Sequence, residues 1–168
     1  MVTPNNAYTA PINRPGETPV LTLNQVWQGL RRKVRHAEEF VPVIVNCKVV
    51  AEERSSTGEE IVTRTVEFSK DVPRGGVPVK EVCHHYAPCR VDFQQEDGSR
   101  ISNFVSAGPT GAAEDLYLTY VFEWRHPDLE AGSEKTAEVE EEHRKMAKMA
   151  VESSIKSIRR LVQEGTIA

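Results

Sequence analysis

The stretch from Ser133 to Gly165 constrains the fold of this chain more than any other. It reads as one helix of about thirty residues, ~45 Å long at ~1.5 Å rise per residue. Ser133 is a good N-cap, and Gly165 sits where a C′ glycine belongs. Glu134, Glu138, Glu140, Glu141 and Glu142 load the first turns with negative charge, and Lys156, Arg159 and Arg160 load the last with positive charge. Both placements suit the helix dipole. Steps of three and four put Val139, His143, Met146, Ala147, Ala150, Ser154, Ile158, Leu161 and Val162 on one stripe. Ala, Ser, His and Met stand there where Leu and Ile are usual. Such a helix needs a broad apolar partner, and its packing leaves room for something else.

The rest of the chain supplies a sheet as that partner. Thr22 and Gln25 fit a capping box, and Leu21 with Val26 a hydrophobic staple, so a helix is expected from Thr22 to about His36. It would turn Leu23, Val26, Trp27, Leu30 and Val34 inward, with a second short turn over 37–41. A short strand over Ala7 to Asn13 precedes it, and residues 1–6 read as a flexible terminus. Strand patterns follow over 43–54, 60–69, 77–86, 91–95, 100–107 and 116–125. Residues 71–76 read as a loop, Pro88 as a break or bend after which 91–95 continues the strand, and Asp97-Gly98 as a hairpin turn. Strands linked by short turns pair antiparallel, and one apolar and one polar face leave one side covered and one wet. The fold class expected is therefore α+β: an antiparallel sheet covered on one face by a long C-terminal helix, with a short helical pair after the first strand.

A net charge of −4, from 21 Lys and Arg against 25 Asp and Glu, provides no basic field for nucleic acid. The cluster Arg31, Arg32, Lys33, Arg35 and His36 reads as a solvated helix end. No apolar run approaches the ~20 residues that span a membrane. Three cysteines and no recognisable signal peptide read as reduced thiols in a cytoplasmic protein.

The element order, with Leu116–Pro127 (LYLTYVFEWRHP) leading into the long helix, resembles the helix-grip fold of the START-like superfamily. Arg64–Phe68 (RTVEF) and Glu81–Phe93 (EVCHHYAPCRVDF) are similar to a little-studied fungal and bacterial branch of it, near its polyketide cyclase-like members. The resemblance covers nearly the whole chain and implies one domain over 7–167, with a curved antiparallel sheet around the long C-terminal helix. It implies a cavity between sheet and last helix that takes a lipid, hormone or polyketide, where some members cyclise, dehydrate or hydrolyse their ligand. The superfamily shares no fixed catalytic set, so the site residues rest on the sequence pattern.

Alternation decides which polar side chains face that covered side. Arg64 lies between Val62 and Val66; Glu81 shares a face with Val79, Cys83 and His85; Asn103 lies between Ile101 and Val105; Tyr120 lies between Leu118 and Phe122. Convergent polar groups in an apolar pocket are the usual form of a small-molecule site. In that reading Arg64 stabilises developing negative charge, and Glu81 or His85 acts as a general base. Asn103 and Tyr120 orient a carbonyl, and Trp124, Phe68 and Met146 line the ligand. The plain alternatives stay open. Arg64 and Glu81 also suit a buried ion pair, His85 a structural histidine, Asn103 a backbone contact, and Tyr120 and Trp124 core aromatics; His143 also suits solvent. A zinc site fits poorly, because His84 and His85 point to opposite faces of a strand, so no metal and no cofactor is expected. The functions these residues suit are cyclisation, lactonisation or hydrolysis of a polyketide-like substrate in secondary metabolism, or non-catalytic carriage of a hydrophobic ligand. A core-filled interaction domain and a homodimer are compatible with the same pattern.

Overall fold

The computed structural model describes residues 2–72 and 75–168. Part of the expected loop over 71–76 therefore lies outside the described residues. Seven strands form one antiparallel sheet: β1 (Asn5–Pro11), β2 (Ile44–Arg54), β3 (Glu60–Phe68), β4 (Pro78–Tyr86), β5 (Arg90–Gln95), β6 (Arg100–Ala107) and β7 (Leu116–Glu123). The spatial order is β1-β7-β6-β5-β4-β3-β2, so every strand from β2 to β7 pairs with its sequence neighbour and β1 closes the far side. The helices are α1 (Leu23–Arg35), followed by a single 3-10 turn at Ala37–Glu39, and α2 (Glu134–Gln163).

Local signals set these elements. The Thr22–Gln25 capping box is formed in both directions at the start of α1. Ser133 caps α2 by accepting from the Thr136 N–H, and Gly165 follows its end at φ 74°, the left-handed position glycine favours. On the sheet's concave side Val62, Val66, Cys83, Val91, Phe93, Val105, Leu116, Leu118, Tyr120 and Phe122 are buried. Helix α1 lies against β2, β3 and β6, and α2 against β1 and β7. The two helices meet where α1 carries Gly29, and a Cβ there would stand 2.5 Å from Ile158 Cγ1 of α2. Glycine is what permits that approach.

Five sequence expectations change, the first being that Leu23, at the opening of α1, is exposed rather than turned inward. Strand β1 begins at Asn5 rather than Ala7, and Val2 forms a bridge with His126, so residues 2–6 are held rather than frayed. Backbone bonds from Val2 to His126 (3.0 and 2.9 Å) and from Trp124 to Pro4 (3.2 Å) account for it. Pro88 does not bend a continuing strand. It sits in a turn closed by the Cys89 N–H on the Tyr86 carbonyl, and β5 returns antiparallel to β4. The basic end of α1 is not simply solvated. Arg31 and Arg35 bind Glu60, Arg35 also binds Glu52, Arg32 binds Glu39, and Lys33 is buried. Finally, Arg159 is buried rather than spent on the helix dipole: its guanidinium reaches the carbonyls of Ile12 and Pro19 and the Glu17 carboxylate. A long side chain on the inward stripe can bury its charge only where such acceptors wait.

Candidate functional site

The strand register assembles the polar groups of the concave face. Arg64 pairs with Glu81 across β3 and β4, His85 with Val91 across β4 and β5, Val91 with Asn103 across β5 and β6, and Asn103 with Tyr120 across β6 and β7. Helix α1 lays its last turn over this surface and adds Lys33. Lys33, Arg64, Glu81, His85, Asn103 and Tyr120 are all between 0 and 6% exposed, so each polar atom needs a partner inside the protein.

Arg64 and Glu81 find theirs in each other. Arg64 Nε and Nη2 donate to Glu81 Oε2 at 2.8 and 2.7 Å. Arg64 Nη1 donates to the carbonyls of Lys33 (2.9 Å) and Val34 (3.0 Å), which the end of α1 leaves open. The other Glu81 oxygen accepts from Gln95 Nε2 at 2.9 Å. Burial would lower the guanidinium, but the Glu81 carboxylate overrides it and holds Arg64 above its ordinary value. The pair is thus a rivet between β3, β4 and the end of α1. Its donors are committed to protein acceptors, the arrangement that the ion-pair alternative described.

His85, Asn103 and Tyr120 are in the opposite condition. His85 Nδ1 lies 3.0 Å from the Glu60 carbonyl. A carbonyl only accepts, so Nδ1 carries the proton and Nε2 carries the lone pair. Burial pulls the imidazole below its ordinary range and keeps it neutral near pH 7. Among the described residues its Nε2 has no hydrogen-bond partner, and Trp27 closes its flank edge-on at 6.2 Å. Asn103 Nδ2 and the Tyr120 hydroxyl are likewise buried without a partner. The hydroxyl lies beside Asn103 and Ser154 without a full hydrogen bond to either, and Ser154 donates instead to the Ala150 carbonyl at 2.7 Å. Burial raises the Tyr120 phenol above its ordinary value.

Lys33 is the residue that charge composition hid. Its Nζ stands 4.0 Å above the Tyr120 ring and 5.3 Å from the Phe93 ring. Its hydrogen bond to Asn103 Oδ1 is long, at 3.4 Å. Burial, then the neighbouring Arg64 guanidinium, bring the amine down to about 7. One signal was available: Lys33 lies three residues past Leu30 and seven past Val26, on the apolar stripe of α1.

The remaining expected residues divide. Trp124 is half-buried, stacks on Phe122 (4.5 Å) and meets the tilted ring of His143 (4.0 Å), so His143 is an aromatic partner rather than a solvent group. Phe68 packs on the rim of the core and also lines an outer hollow of about 460 Å³ with Val45, Glu67, Lys70 and Asp71. A second outer hollow, about 140 Å³, lies at Lys80, Val82, Gln94 and Glu96. On α2, Met149 rather than Met146 packs against the core, because the buried stripe runs through Ala147, Ala150, Val151 and Ser154. The Cys83 thiol is pushed up to about 12 by burial, which makes it a poor nucleophile. Among the described residues no three His, Cys, Asp or Glu side chains converge as metal ligands. No described helix is long and apolar enough to cross a membrane.

A concave antiparallel sheet closed by one long terminal helix, with polar groups set into its covered face, defines the START-like helix-grip fold. More narrowly, the chain belongs to the family described as acetylaranotin biosynthesis cluster protein L, whose model matches residues 6–165. It is 31% identical over 161 residues to the Aspergillus terreus protein of that description, covering 96% of this chain and 91% of the relative. Solved structures share the fold at low identity. The di-domain aromatase/cyclase StfQ from the steffimycin biosynthetic pathway superposes with a TM-score of 0.62 at 9% identity. This chain is covered to 96% and spans 52% of StfQ, about half its length. TTHA0849 from Thermus thermophilus superposes with a TM-score of 0.58 at 13% identity, covering 98% of this chain and 99% of its own. A START superfamily protein from Mycobacterium smegmatis gives 0.54 at 9% identity, covering 96% and 97%.

Proposed function

We propose that this protein acts in secondary metabolism on an apolar, carbonyl-bearing small molecule of polyketide type, taken between the sheet and the two helices. The observation that carries this reading is the set of three buried polar atoms without partners, His85 Nε2, Asn103 Nδ2 and Tyr120 Oη, among apolar walls. Each such atom costs ~1–3 kcal/mol when left unmade, and a ligand carbonyl or hydroxyl supplies what it lacks. The description of the Aspergillus terreus relative as a biosynthesis cluster protein, and the shared fold with StfQ, support the metabolic setting.

The chemistry that suits these groups is proton transfer on an already reactive substrate. His85 Nε2 takes a proton from an acidic C–H, a hydroxyl or a water. Asn103 Nδ2 and the Tyr120 hydroxyl donate to the oxygen on which charge develops. Cyclisation, lactonisation and hydrolysis all need only these two functions. Arg64 and Glu81 serve the site from behind by fixing the end of α1. The competing reading is a carrier of the same ligand. The commitment of Arg64 and Glu81 to each other favours it, since the strongest charges here are not offered to a ligand.

Native mass spectrometry of the purified protein, with extraction of what co-purifies, tests the pocket. A bound carbonyl-rich species supports it. Repeated absence of any bound species, together with no affinity for apolar dyes, overturns it. With a ligand in hand, His85→Gln separates the readings. The enzyme reading expects turnover to fall by ~10²-fold or more with binding largely kept; the carrier reading expects only affinity to change.

A further inference from the structure

Lys33 is the buried group that the proton-transfer scheme leaves unused. Among the described residues none of the ion pairs includes it, and its carboxylate neighbour Glu81 is already held by Arg64 and Gln95. The other lysines, Lys48, Lys70, Lys80, Lys135, Lys145, Lys148 and Lys156, are all exposed. Around Nζ stand two aromatic faces, Tyr120 and Phe93, and one amide, Asn103, whose Nδ2 has no partner. An amine on an apolar floor beside an orphaned donor is the arrangement that carbonyl condensation requires. The lone pair approaches the carbonyl carbon while the donor holds its oxygen.

We propose that Lys33 Nζ is a nucleophilic amine that condenses with an aldehyde or ketone of the bound small molecule to form a Schiff base. This rests on the carbonyl-ligand reading above and adds the covalent step. The lone pair of the neutral amine forms the C–N bond, and the C=O π pair moves onto oxygen. One proton passes from nitrogen to that oxygen, which gives the carbinolamine. A second proton, drawn from solvent, lets the oxygen leave as water, and the nitrogen lone pair closes the C=N bond as an iminium. The sum is amine plus carbonyl plus one proton going to iminium plus water, with no oxidant or reductant. Burial and the Arg64 guanidinium favour the neutral amine, bringing it to about 7. A far larger share of Lys33 is then neutral and nucleophilic at pH 7 than of an ordinary lysine, of which well under 1% is neutral at a pKa of ~10.4. The nearby Cys83 thiol does not compete, since burial pushes it up to about 12.

The test incubates the full chain with cinnamaldehyde and sodium cyanoborohydride at pH 7, which traps the iminium as a secondary amine. Intact mass and peptide mapping then locate the adduct, with the α-amino group of Met1 mapped separately. The inference expects one adduct at Lys33, formed at least ~100-fold faster than at any exposed lysine. Its rate should rise with pH and level off above about 7. Adducts confined to exposed lysines and the terminus overturn it. Lys33→Met, which keeps the length of the stem, should abolish that adduct while quenching of tryptophan fluorescence by cinnamaldehyde persists. If the wild type shows that quenching without a Lys33 adduct, the covalent step fails and the pocket stands. If neither quenching nor adduct occurs with cinnamaldehyde, both fail.

Discussion

At the scale of single residues, the interior sorts its charges by what they can reach. Arg64 and Glu81 close on each other and on the end of α1, while Lys33 is left with an amide and two rings. Removing one member of a buried pair strands the other, which typically costs ~3–5 kcal/mol. Arg64→Met is therefore expected to lose stability by about that amount in urea unfolding. Adding Glu81→Leu to it should recover part of the loss but not all, because the Lys33 and Val34 carbonyls remain without their donor. A single variant within ~1 kcal/mol of wild type would show that water replaces the pair at little cost. Alternation along β3, β4, β6 and β7 was enough to say that Arg64, Glu81, His85, Asn103 and Tyr120 point inward, since a strand has only two faces. Which of them are consumed by one another was not legible. The carbonyls that occupy Arg64 come from a helix some thirty residues away in sequence, at Lys33 and Val34.

At the scale of elements, the corner between β7 and α2 is held by a row of rings in contact, the first pair stacked and the others tilted. Phe122, Trp124, His143 and His126 follow one another at centroid distances of 4.5, 4.0 and 5.0 Å. Burial, then the His126 ring, bring His143 down to about 4. In the unfolded chain the same imidazole titrates near ~6.5. Between those values the unfolded chain holds the proton and the folded chain does not. Stability contributed by neutral His143 is thus complete above ~6.5, falls as pH drops toward about 4, and levels off below. Thermal unfolding of wild type and His143→Gln from pH 8 to pH 4 checks this. The difference between the two curves should slope only in that window, because the carboxylates and His85 titrate in both proteins. Parallel curves throughout would show that the ring cluster does not resist protonation. The helix stripe predicted a face but not its contacts. His143 meets Trp124 because α2 crosses the end of β7, a relation that periodicity within α2 does not contain.

At the scale of the whole molecule, α2 and the sheet are each other's cover. Ala147, Ala150, Val151, Ile155, Ile158 and Leu161 close the apolar side that Ala10, Leu118 and Tyr120 present, and Ile158 seats against Gly29 of α1. A chain ending at Gly132 should accordingly fail to form the native sheet. The expectation is strong dye binding, broad amide NMR signals and association through the exposed face. A monomeric product with dispersed signals would show that α1 alone closes the core. Element order, turn chemistry and the α+β class were open to inspection in the sequence, because capping, alternation and helical stripes are local and repeat within a few residues. Thr22, Ser133 and Gly165 act where their types suggest, whatever surrounds them. Tertiary structure alone decided the rest. It buried Arg159 among distant carbonyls and carried Lys33 from an apparently solvated basic cluster onto the faces of Tyr120 and Phe93. A charged side chain on an amphipathic boundary has two stable fates, water or an enclosed partner, and only the arrival of another part of the chain selects between them.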